Sequence, residues 1–366
     1  MSGGPRVAVV GAGIVGASIA YHLVRRGCDV TIIEQNCPAS GVTARAFAWI
    51  NVSHGVAGPN APLRERALNE YRRLDRELGG VLPIDWCGAL TWTNNPADSE
   101  RMVRDHVAHG HELRLVDRSD IAALEPGLAV PPECAAYAPG EGGIDPVAAT
   151  DLLVRAAREA GAQLHLSSPV HALAAERGRV VGVLTKDGIV AADYVVVAAG
   201  LGSVALCAPL GIELPVDASP AILVRLRASR RLVRRILASP TFEVRQPATG
   251  LFLAAEDYID DSAENGPGAV ARRTLAELGR RLHGGDTLVI DDAAAGVRPM
   301  PRDDLPIVGR IPALPGLYVA VMHAGIVMAP VVGRLVADEI RGDTTDRALD
   351  HCRIERFSAE AVTRQN

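Results

Sequence analysis

The sequence has few aromatic residues, few cysteines and no long hydrophobic run. Its aromatic fraction is 4%, and its six cysteines form no C-x-x-C pair: Cys28, Cys37, Cys87, Cys134, Cys207 and Cys352. Such scattered thiols predict neither a disulfide framework nor a metal site, and they are typical of a reducing compartment. The apolar runs are far shorter than a membrane-spanning helix requires. We therefore expect a cytoplasmic protein with no metal and no stable membrane insertion.

The chain also lacks a block of like charge. Its net charge is −5, and the most basic stretch, residues 225–235, alternates arginine with apolar residues. Nucleic-acid-binding proteins usually concentrate basic residues on one face, so this class is not predicted. A length of 366 residues with 48% hydrophobic residues is enough for a large core and exceeds one ordinary domain.

The first 35 residues contain a nucleotide-binding pattern. Residues 6–10 and 30–34 are predicted strands, and residues 17–26 between them have helical spacing. The turn before the helix has G-x-G-x-x-G spacing and consists of Gly11, Ala12, Gly13, Ile14, Val15 and Gly16. Gly11 permits a tight turn, Gly13 lets the backbone approach a pyrophosphate, and Gly16 lets the helix pack closely on the strand. The pattern predicts a dinucleotide site.

An acidic residue ends the second strand. Glu34 is placed to accept hydrogen bonds from both ribose hydroxyl groups. NADP is disfavoured because this carboxylate would repel a 2′-phosphate and because Gln35, not an arginine, follows it. The motif alone leaves both FAD and NAD open.

The order of the remaining elements predicts two interleaved domains. Buried strands are predicted again at 194–200 and 317–321, whereas residues 212–292 contain alternating segments typical of antiparallel sheet. Helices are predicted over residues 62–78, 96–109, 146–160 and 329–341, and residues 263–268 are predicted to be a loop. This order favours a nucleotide domain into which a second domain is inserted in two pieces.

Five separated stretches carry further motifs: residues 7–34, 39–48 (ASGVTARAFA), 143–161, 194–203 (YVVVAAGLGS) and 296–342. The last contains GVRPMPRDDLPIVG and MHAGIVMAPVVGRLVADEIRG. In this order and spacing they resemble the D-amino-acid oxidase superfamily, and within it the glycine oxidase and sarcosine oxidase branch. The resemblance covers nearly the whole chain.

The resemblance implies an α/β fold in which a Rossmann-type FAD-binding domain carries an inserted antiparallel-sheet (α+β) substrate domain. We expect residues 1–85, 141–211 and 293–366 in the FAD-binding domain and residues 86–140 and 212–292 in the substrate-binding domain. The FAD would be non-covalent, because the position of a linking cysteine in relatives falls near Gly296 and residues 41–48 contain no histidine.

The resemblance also assigns the cofactor contacts beyond Gly11, Gly13, Ile14, Val15, Gly16, Glu34 and Gln35. The backbone of Val170 would meet the adenine, and Ala199 and Gly200 would lie beside the ribose and pyrophosphate. The flavin ring would be approached by Thr43, Ala44 and Arg45. Backbone N–H groups near N1 and the C2 carbonyl would come from Gly325, Ile326, Val327 and Met328.

Four residues are candidates for the substrate site. Arg298 matches the arginine that pairs with a substrate carboxylate in relatives, and a surface or ion-paired arginine is the alternative. His323 corresponds to a histidine near the flavin, or it is simply a loop histidine. Glu243 falls where relatives often have a tyrosine that closes over the substrate, and Arg245 follows it in the same strand. A slip of one residue in that strand would turn both side chains to the other face.

The implied activity is oxidation of the C–N bond of an amino acid or secondary amine to an imine, by hydride transfer to flavin N5. The partners would be that small molecule and molecular oxygen or another electron acceptor. A dehydrogenase using a non-oxygen acceptor, a flavin-binding subunit of a larger complex and, least favoured, an NAD-dependent dehydrogenase are the alternatives. The substrate and a homo-oligomer are left open.

Overall fold

The computed structural model describes residues 3–54, 61–342 and 345–357. Residues 1–2, 55–60, 343–344 and 358–366, all within the predicted FAD-binding domain, lie outside the described residues. The strands in chain order are β1 (Arg6–Val10), β2 (Asp29–Ile33), β3 (Trp49–Ile50), β4 (Ile84–Asp85), β5 (Ala89–Thr91), β6 (Arg114–Asp117), β7 (Cys134–Ala138), β8 (Gly142–Ile144), β9 (Gln163–His165), β10 (Val170–Glu176), β11 (Arg179–Thr185), β12 (Gly188–Ala191), β13 (Tyr194–Val197), β14 (Val216–Arg227), β15 (Ile236–Ala238), β16 (Glu243–Ala248), β17 (Leu251–Asp257), β18 (Val289–Pro301), β19 (Ile307–Arg310) and β20 (Leu317–Val321). The α-helices are α1 (Ile14–Arg25), α2 (Ala61–Glu77), α3 (Pro96–Ala108), α4 (Arg118–Leu124), α5 (Pro146–Glu159), α6 (Gly202–Cys207), α7 (Pro267–Arg281) and α8 (Gly325–Arg341). Short 3-10 helices cover Val42–Arg45, Ala208–Leu210, Gly285–Thr287 and Arg347–Cys352.

A six-stranded sheet forms the nucleotide-binding half, in the order β19-β20-β13-β1-β2-β9. All neighbours are parallel except β19, which runs antiparallel to β20. Every residue of β20 is buried, as expected for a sheet covered on both faces. The sheet confirms the predicted strands near residues 8, 32, 195 and 319 and the predicted α/β architecture.

An eight-stranded sheet forms the other half, in the order β18-β14-β17-β16-β15-β5-β7-β6. Its neighbours are antiparallel except for the parallel pair of β15 and β5. Its strands come from residues 89–138 and 216–301, with the six-stranded sheet's β9 and β13 between them. The exact domain boundaries stay a prediction, and β18 runs across the one expected between residues 292 and 293.

Helices α2, α3 and α5 match their predictions to within one residue at each end. Helix α7 was not predicted, and the expected loop over residues 263–268 is wrong at its end because the helix begins at Pro267. Proline suits this position, since the first helical residue needs no N–H donor. The apolar face of α7 packs into the core of the eight-stranded sheet through Val270, Ala271 and Leu278.

Helix α8 begins at Gly325, four residues before its predicted start. Pro330 lies inside the helix and has no N–H to donate to the carbonyl of Ile326. The Tyr71 hydroxyl of α2 donates a hydrogen bond to that carbonyl instead. Helix α8 also packs tightly on α1, because a Cβ built on Gly333 would lie 2.2 Å from Ser18 Oγ. The first turns of α1 and α8 also lie side by side, since a Cβ built on Gly325 would be 3.2 Å from Val15 Cγ2.

Candidate active site

A cavity of about 850 Å³ lies between the two large sheets. Its wall includes Val10 and Ala320 of the six-stranded sheet and Ile222 and Ala255 of the eight-stranded sheet. The volume is in the range of cofactor and ligand sites, which bury most of what they bind. One end is lined by Glu34, Ser168, Val170 and His171, and another by Asn51, His54, Arg64, Glu243, Arg298 and His323.

The glycine-rich turn forms one edge of this cavity. Gly11 has φ +101°, and a Cβ there would lie 2.6 Å from Ala198 O. A Cβ on Gly16 would lie 2.0 Å from Gly11 O, so this glycine lets α1 pack on the turn and does not itself reach the cavity wall. Gly13 is different, because the one atom within 4 Å of its built Cβ is Thr43 Oγ1 at 3.2 Å. Its outer side is therefore free for a ligand's phosphates.

Glu34 is fixed at the adenosine end. Its Oε2 accepts from Ala12 N at 2.8 Å, and its Oε1 accepts from Asn36 N at 2.9 Å. The residue is 8% exposed and lies on the cavity wall with Gln35. Because each carboxylate oxygen can accept more than one hydrogen bond, Glu34 retains capacity for ribose hydroxyl groups. Together with the free side of Gly13, this donor and acceptor set fits a dinucleotide.

Most of the other predicted cofactor residues also lie on the wall: Gly11, Ile14, Val15, Thr43, Arg45, Val170, Ala199, Gly200, Gly325, Ile326 and Val327. Thr43 Oγ1 accepts from Ile14 N at 3.3 Å, which joins the 3-10 helix to the start of α1. Arg45 lines the cavity, but its guanidinium forms an ion pair with Asp292 at 2.8 Å. Ala44 is not on the wall, and its carbonyl accepts from Arg225 NH2 at 2.9 Å.

The four predicted N–H donors at the start of α8 need a correction. Gly325 N donates to His323 O at 2.8 Å, and Met328 N donates to Ala324 O at 3.0 Å. Met328 is buried behind the wall because it lies on the inner side of the helix. The N–H groups of Ile326 and Val327 have no acceptor within the described part of the chain, and these two remain available at the helix N-terminus.

Arg298 is held in place by the neighbouring strand. Ser219 faces it in the pairing of β14 with β18, accepting from Arg298 Nε through its carbonyl at 3.1 Å and from NH2 through its Oγ at 2.9 Å. Its NH1 lies 3.5 Å from Nε2 of His323. Burial, together with the charges of Arg298 and Arg64, lowers the pKa of His323 to about 4. His323 is therefore neutral at pH 7, and the cavity here is cationic through its arginines.

Glu243 also lies on the wall, on β16. Burial, with the charge of Asp257, raises its pKa to about 7, although Arg298 acts in the opposite direction. Arg245 shares its strand face but is not on the wall. Its Nε donates to Phe47 O at 2.6 Å and its NH2 donates to Ile144 O at 2.9 Å.

The prediction that Arg245 belongs to the substrate site is thus wrong, because its side chain does not line the cavity. The side chain passes between β16 and β8, so close to Gly143 that a Cβ there would lie 2.6 Å from Arg245 NH1. Burial lowers its pKa to about 10. Arg245 therefore ties the eight-stranded sheet to the loop after residue 45, and Glu243 alone faces the cavity.

Among the wall residues that were not predicted, Asn51, His54 and Arg64 bring polar side chains to the end of the cavity that contains Arg298. Arg64 NH1 donates to Asn51 Oδ1 at 3.3 Å and to His54 O at 3.1 Å. A signal for Arg64 exists in the sequence, because it lies three residues after Ala61 and four before Leu68, both buried on the apolar stripe of α2. A charge on such a stripe indicates a special environment. No comparable pattern marks Asn51 or His54.

The fold and the cavity define a two-domain protein with a dinucleotide site between its sheets. The chain belongs to the FAD dependent oxidoreductase (DAO) family, whose model matches residues 6–339. The protein is accordingly a flavin-dependent oxidoreductase with FAD as its cofactor, and the resemblance seen in the sequence is confirmed.

Curated relatives agree with this assignment, and solved structures share the fold. Glycine oxidase from Geobacillus kaustophilus is 28% identical over 93% of this chain and 93% of its own length. A D-amino acid dehydrogenase from Cereibacter sphaeroides is 28% identical over 97% of this chain and 96% of its own length. The crystal structure of the G. kaustophilus glycine oxidase superposes with a TM-score of 0.86 at 24% identity, over 96% of this chain and 99% of that chain.

L-proline dehydrogenase from P. horikoshii shares the fold as well, with a TM-score of 0.86 at 24% identity over 98% of this chain and 99% of that chain. Within residues 3–54, 61–342 and 345–357, no helix is long and apolar enough to cross a membrane. The same residues contain no cluster of three or more His, Cys, Asp or Glu side chains that could hold a metal ion.

Proposed function

We propose that this protein oxidises the C–N bond of an α-amino acid or a related secondary amine to the imine. The observation that supports this most directly is Arg298, whose guanidinium is fixed by Ser219 on the cavity wall. A planar guanidinium can hold a carboxylate through two parallel hydrogen bonds, which orients the carbon next to it. Glycine oxidases and a D-amino acid dehydrogenase among the relatives support the same substrate class.

The bound FAD supplies a two-electron acceptor for the substrate's C–N bond. The chain's own residues bind the substrate and orient it. Arg298 would hold the carboxylate, and the free N–H groups of Ile326 and Val327, at a helix N-terminus on the cavity wall, would stabilise negative charge on the reduced cofactor. Neutral His323 adds no second positive charge beside Arg298. Glu243 can accept a proton from the substrate's ammonium group. This matters because the amine must be neutral before it is oxidised.

Replacing Arg298 by alanine tests this proposal. We expect the Michaelis constant for carboxylate substrates to rise at least about 100-fold, because a charge-assisted bidentate contact is lost. The variant should stay yellow, since Arg298 is not part of the glycine-rich turn. The measurement is anaerobic reduction of the bound flavin. It is made with amino acids and, for comparison, with amines that lack a carboxylate. An unchanged Michaelis constant for the amino acids would contradict the role of Arg298.

The electron acceptor is part of this proposal. Relatives include both oxidases and a dehydrogenase, so oxygen and a quinone or protein acceptor are the two candidates. Peroxide release during turnover in air identifies the oxidase. A flavin-binding subunit without its own catalysis is disfavoured by Arg298 and Glu243 facing the cavity, and bleaching of the flavin by substrate without oxygen would exclude it.

The domain division and the compartment complete the proposal. Residues 1–85, 141–211 and 293–366 would bind FAD, and residues 86–140 and 212–292 would bind substrate, which is supported by the origin of the strands in the two large sheets. A cytoplasmic location is supported by six free cysteines.

A further inference from the structure

Two arginines, not one, face the substrate end of the cavity. Arg298 comes from β18 and Arg64 from α2, and both line the wall. Both act on the same two histidines: desolvation, followed by the charges of Arg64 and Arg298, lowers the pKa of His54, and the pKa of His323 is lowered in the same way. Both guanidinium groups therefore act on the same end of the cavity wall, and a substrate with two carboxylates would give each of them an anionic partner.

Arg64 has no acidic partner of its own within the described residues. Its NH1 donates to two neutral oxygens, Asn51 Oδ1 and His54 O. Burial lowers its pKa, and the one opposing charge is that of Glu141. A half-buried cation without a counter-ion is costly, so such a group usually pairs with an anion.

Glu141 is already engaged elsewhere. Its carboxylate accepts from Trp49 Nε1 at 2.9 Å, from Val52 N at 2.8 Å, and from the N and Oγ of Ser53 at 2.7 and 3.0 Å. These bonds hold the loop that follows β3 and involve no atom of Arg64. Glu141 therefore supports the loop and leaves the guanidinium free to bind a ligand.

The other charged groups of the wall do not neutralise Arg64 either. Asp292 is already paired with Arg45 at 2.8 Å, and Glu34 accepts from Ala12 N and Asn36 N at the glycine-rich turn. Glu243 lies within range of Arg298, which lowers its pKa, whereas Arg64 has no resolved effect on it. Glu243, the acid at this end of the cavity, is thus associated with Arg298, and Arg64 has no acidic partner on the described part of the wall.

We propose that the substrate carries two carboxylates, one held by Arg298 and the second held by Arg64. It would be an acidic amino acid or an amine with two carboxylate arms. This inference rests on the proposed function, in which Arg298 takes the carboxylate beside the reacting C–N bond. Arg64 then selects the substrate by its far end.

Binding of non-reacting diacids to the FAD-loaded protein tests the second site without turnover. Malonate, succinate and glutarate are each compared with their monoamides by isothermal titration calorimetry, because the amide has the same shape without the second charge. We expect at least one diacid to bind about 30-fold more tightly than its monoamide. A difference below fivefold for all three would overturn the proposal.

Variants show which residue produces the preference for a diacid over its monoamide. Arg64→Gln should abolish this preference while changing monoamide binding by less than about threefold. Arg64→Lys should retain part of the preference. Arg298→Gln should weaken both ligands. Arg66→Gln is the matched control, because Arg66 lies on the same helix, is paired with Asp346 at 2.9 Å and is not on the cavity wall. If Arg66→Gln reduced the preference for the diacid as much as Arg64→Gln does, long-range charge and not contact with Arg64 would produce it.

Flavin reduction separates this inference from the proposed function. The rate of anaerobic flavin reduction is measured with aspartate and asparagine, and with glutamate and glutamine, each as both enantiomers. Faster reduction by one acid than by its amide supports the second carboxylate site. Reduction by neutral amino acids with no preference for acids would leave the proposed function intact and refute the role of Arg64. Diacid binding with no reduction by any amino acid or amine would refute the proposed function instead.

Discussion

Replacing Gly13 or Gly16 by alanine adds a methyl group to the same turn, but the two changes should fail in different ways. Gly16 lies where α1 crosses the turn, and a Cβ there would be 2.0 Å from Gly11 O and 3.1 Å from Gly11 C. Both atoms are backbone, so the helix itself must move. Gly13 has an ordinary φ of −70°, and a Cβ there would meet one flexible atom, Thr43 Oγ1, at 3.2 Å.

The sizes of the two effects follow from these contacts. Alanine in a helix gains about 1 kcal/mol over glycine, but overpacking against fixed atoms costs about 1–3 kcal/mol or more. For Gly16→Ala we therefore expect the apoprotein to lose about 2 kcal/mol of unfolding free energy. For Gly13→Ala we expect a change below about 1 kcal/mol, because the Thr43 side chain can shift by a few tenths of an ångström. The added methyl faces the cavity, so FAD affinity should fall at least about tenfold.

Two measurements separate these outcomes. Urea denaturation of the apoproteins gives the unfolding free energies, and titration of flavin fluorescence gives the dissociation constants for FAD. If Gly13→Ala destabilises the apoprotein as much as Gly16→Ala does, the assignment of one glycine to packing and the other to the ligand is refuted. Wild-type FAD affinity in the Gly13→Ala protein would refute it equally.

Two further predictions concern the charged residues of β16. The pKa of Glu243 is raised in the folded protein to about 7, so the native state binds this proton more tightly than the unfolded chain and stability falls as pH rises from about 4.5 to 7. Glu243→Gln should therefore be about 1–2 kcal/mol more stable than the wild type at pH 8, and this difference in stability should shrink by pH 5. One pKa unit corresponds to about 1.4 kcal/mol, and water in the cavity reduces the cost of the buried charge. A constant gap in urea denaturation at both pH values would contradict this. Arg245→Met should lose about 2–4 kcal/mol, because the carbonyls of Phe47 and Ile144 lose their donors. Arg227→Met, at an exposed position, is the control and should change stability by less than about 0.5 kcal/mol. Equal losses of stability in the two variants would argue against a structural role for the buried hydrogen bonds of Arg245.

The nucleotide half was predictable because its signals are local. The strand, the glycine turn, the helix and Glu34 follow one another within 35 residues, and each needs little more than its neighbours to adopt its place. The interleaved order of parallel and antiparallel segments likewise followed from strand patterns. Helix α7 was missed because it lies among strands, with glycine and proline at its start suggesting a loop.

The substrate end was less predictable because its residues act through distant partners. Nothing near Arg245 in the sequence indicates that its donors meet carbonyls at positions 47 and 144. The spacing of Glu243 and Arg245 suggested a shared role, yet one reaches the cavity and the other passes beneath it. Arg64 carried a signal in the stripe of α2, but its place on the same cavity wall as Arg298 depends on how α2 packs on α8. The first turn of α8, where Pro330 leaves the Ile326 carbonyl without a helical donor, depends on the same packing through Tyr71.

The cavity wall draws on residues as far apart as Val10 and Val327. A growing polypeptide on the ribosome therefore has no complete flavin site until the first turn of α8 has emerged and docked against α1. The βαβ unit at the start of the chain can fold before that point, whereas complete binding of FAD needs nearly the whole chain.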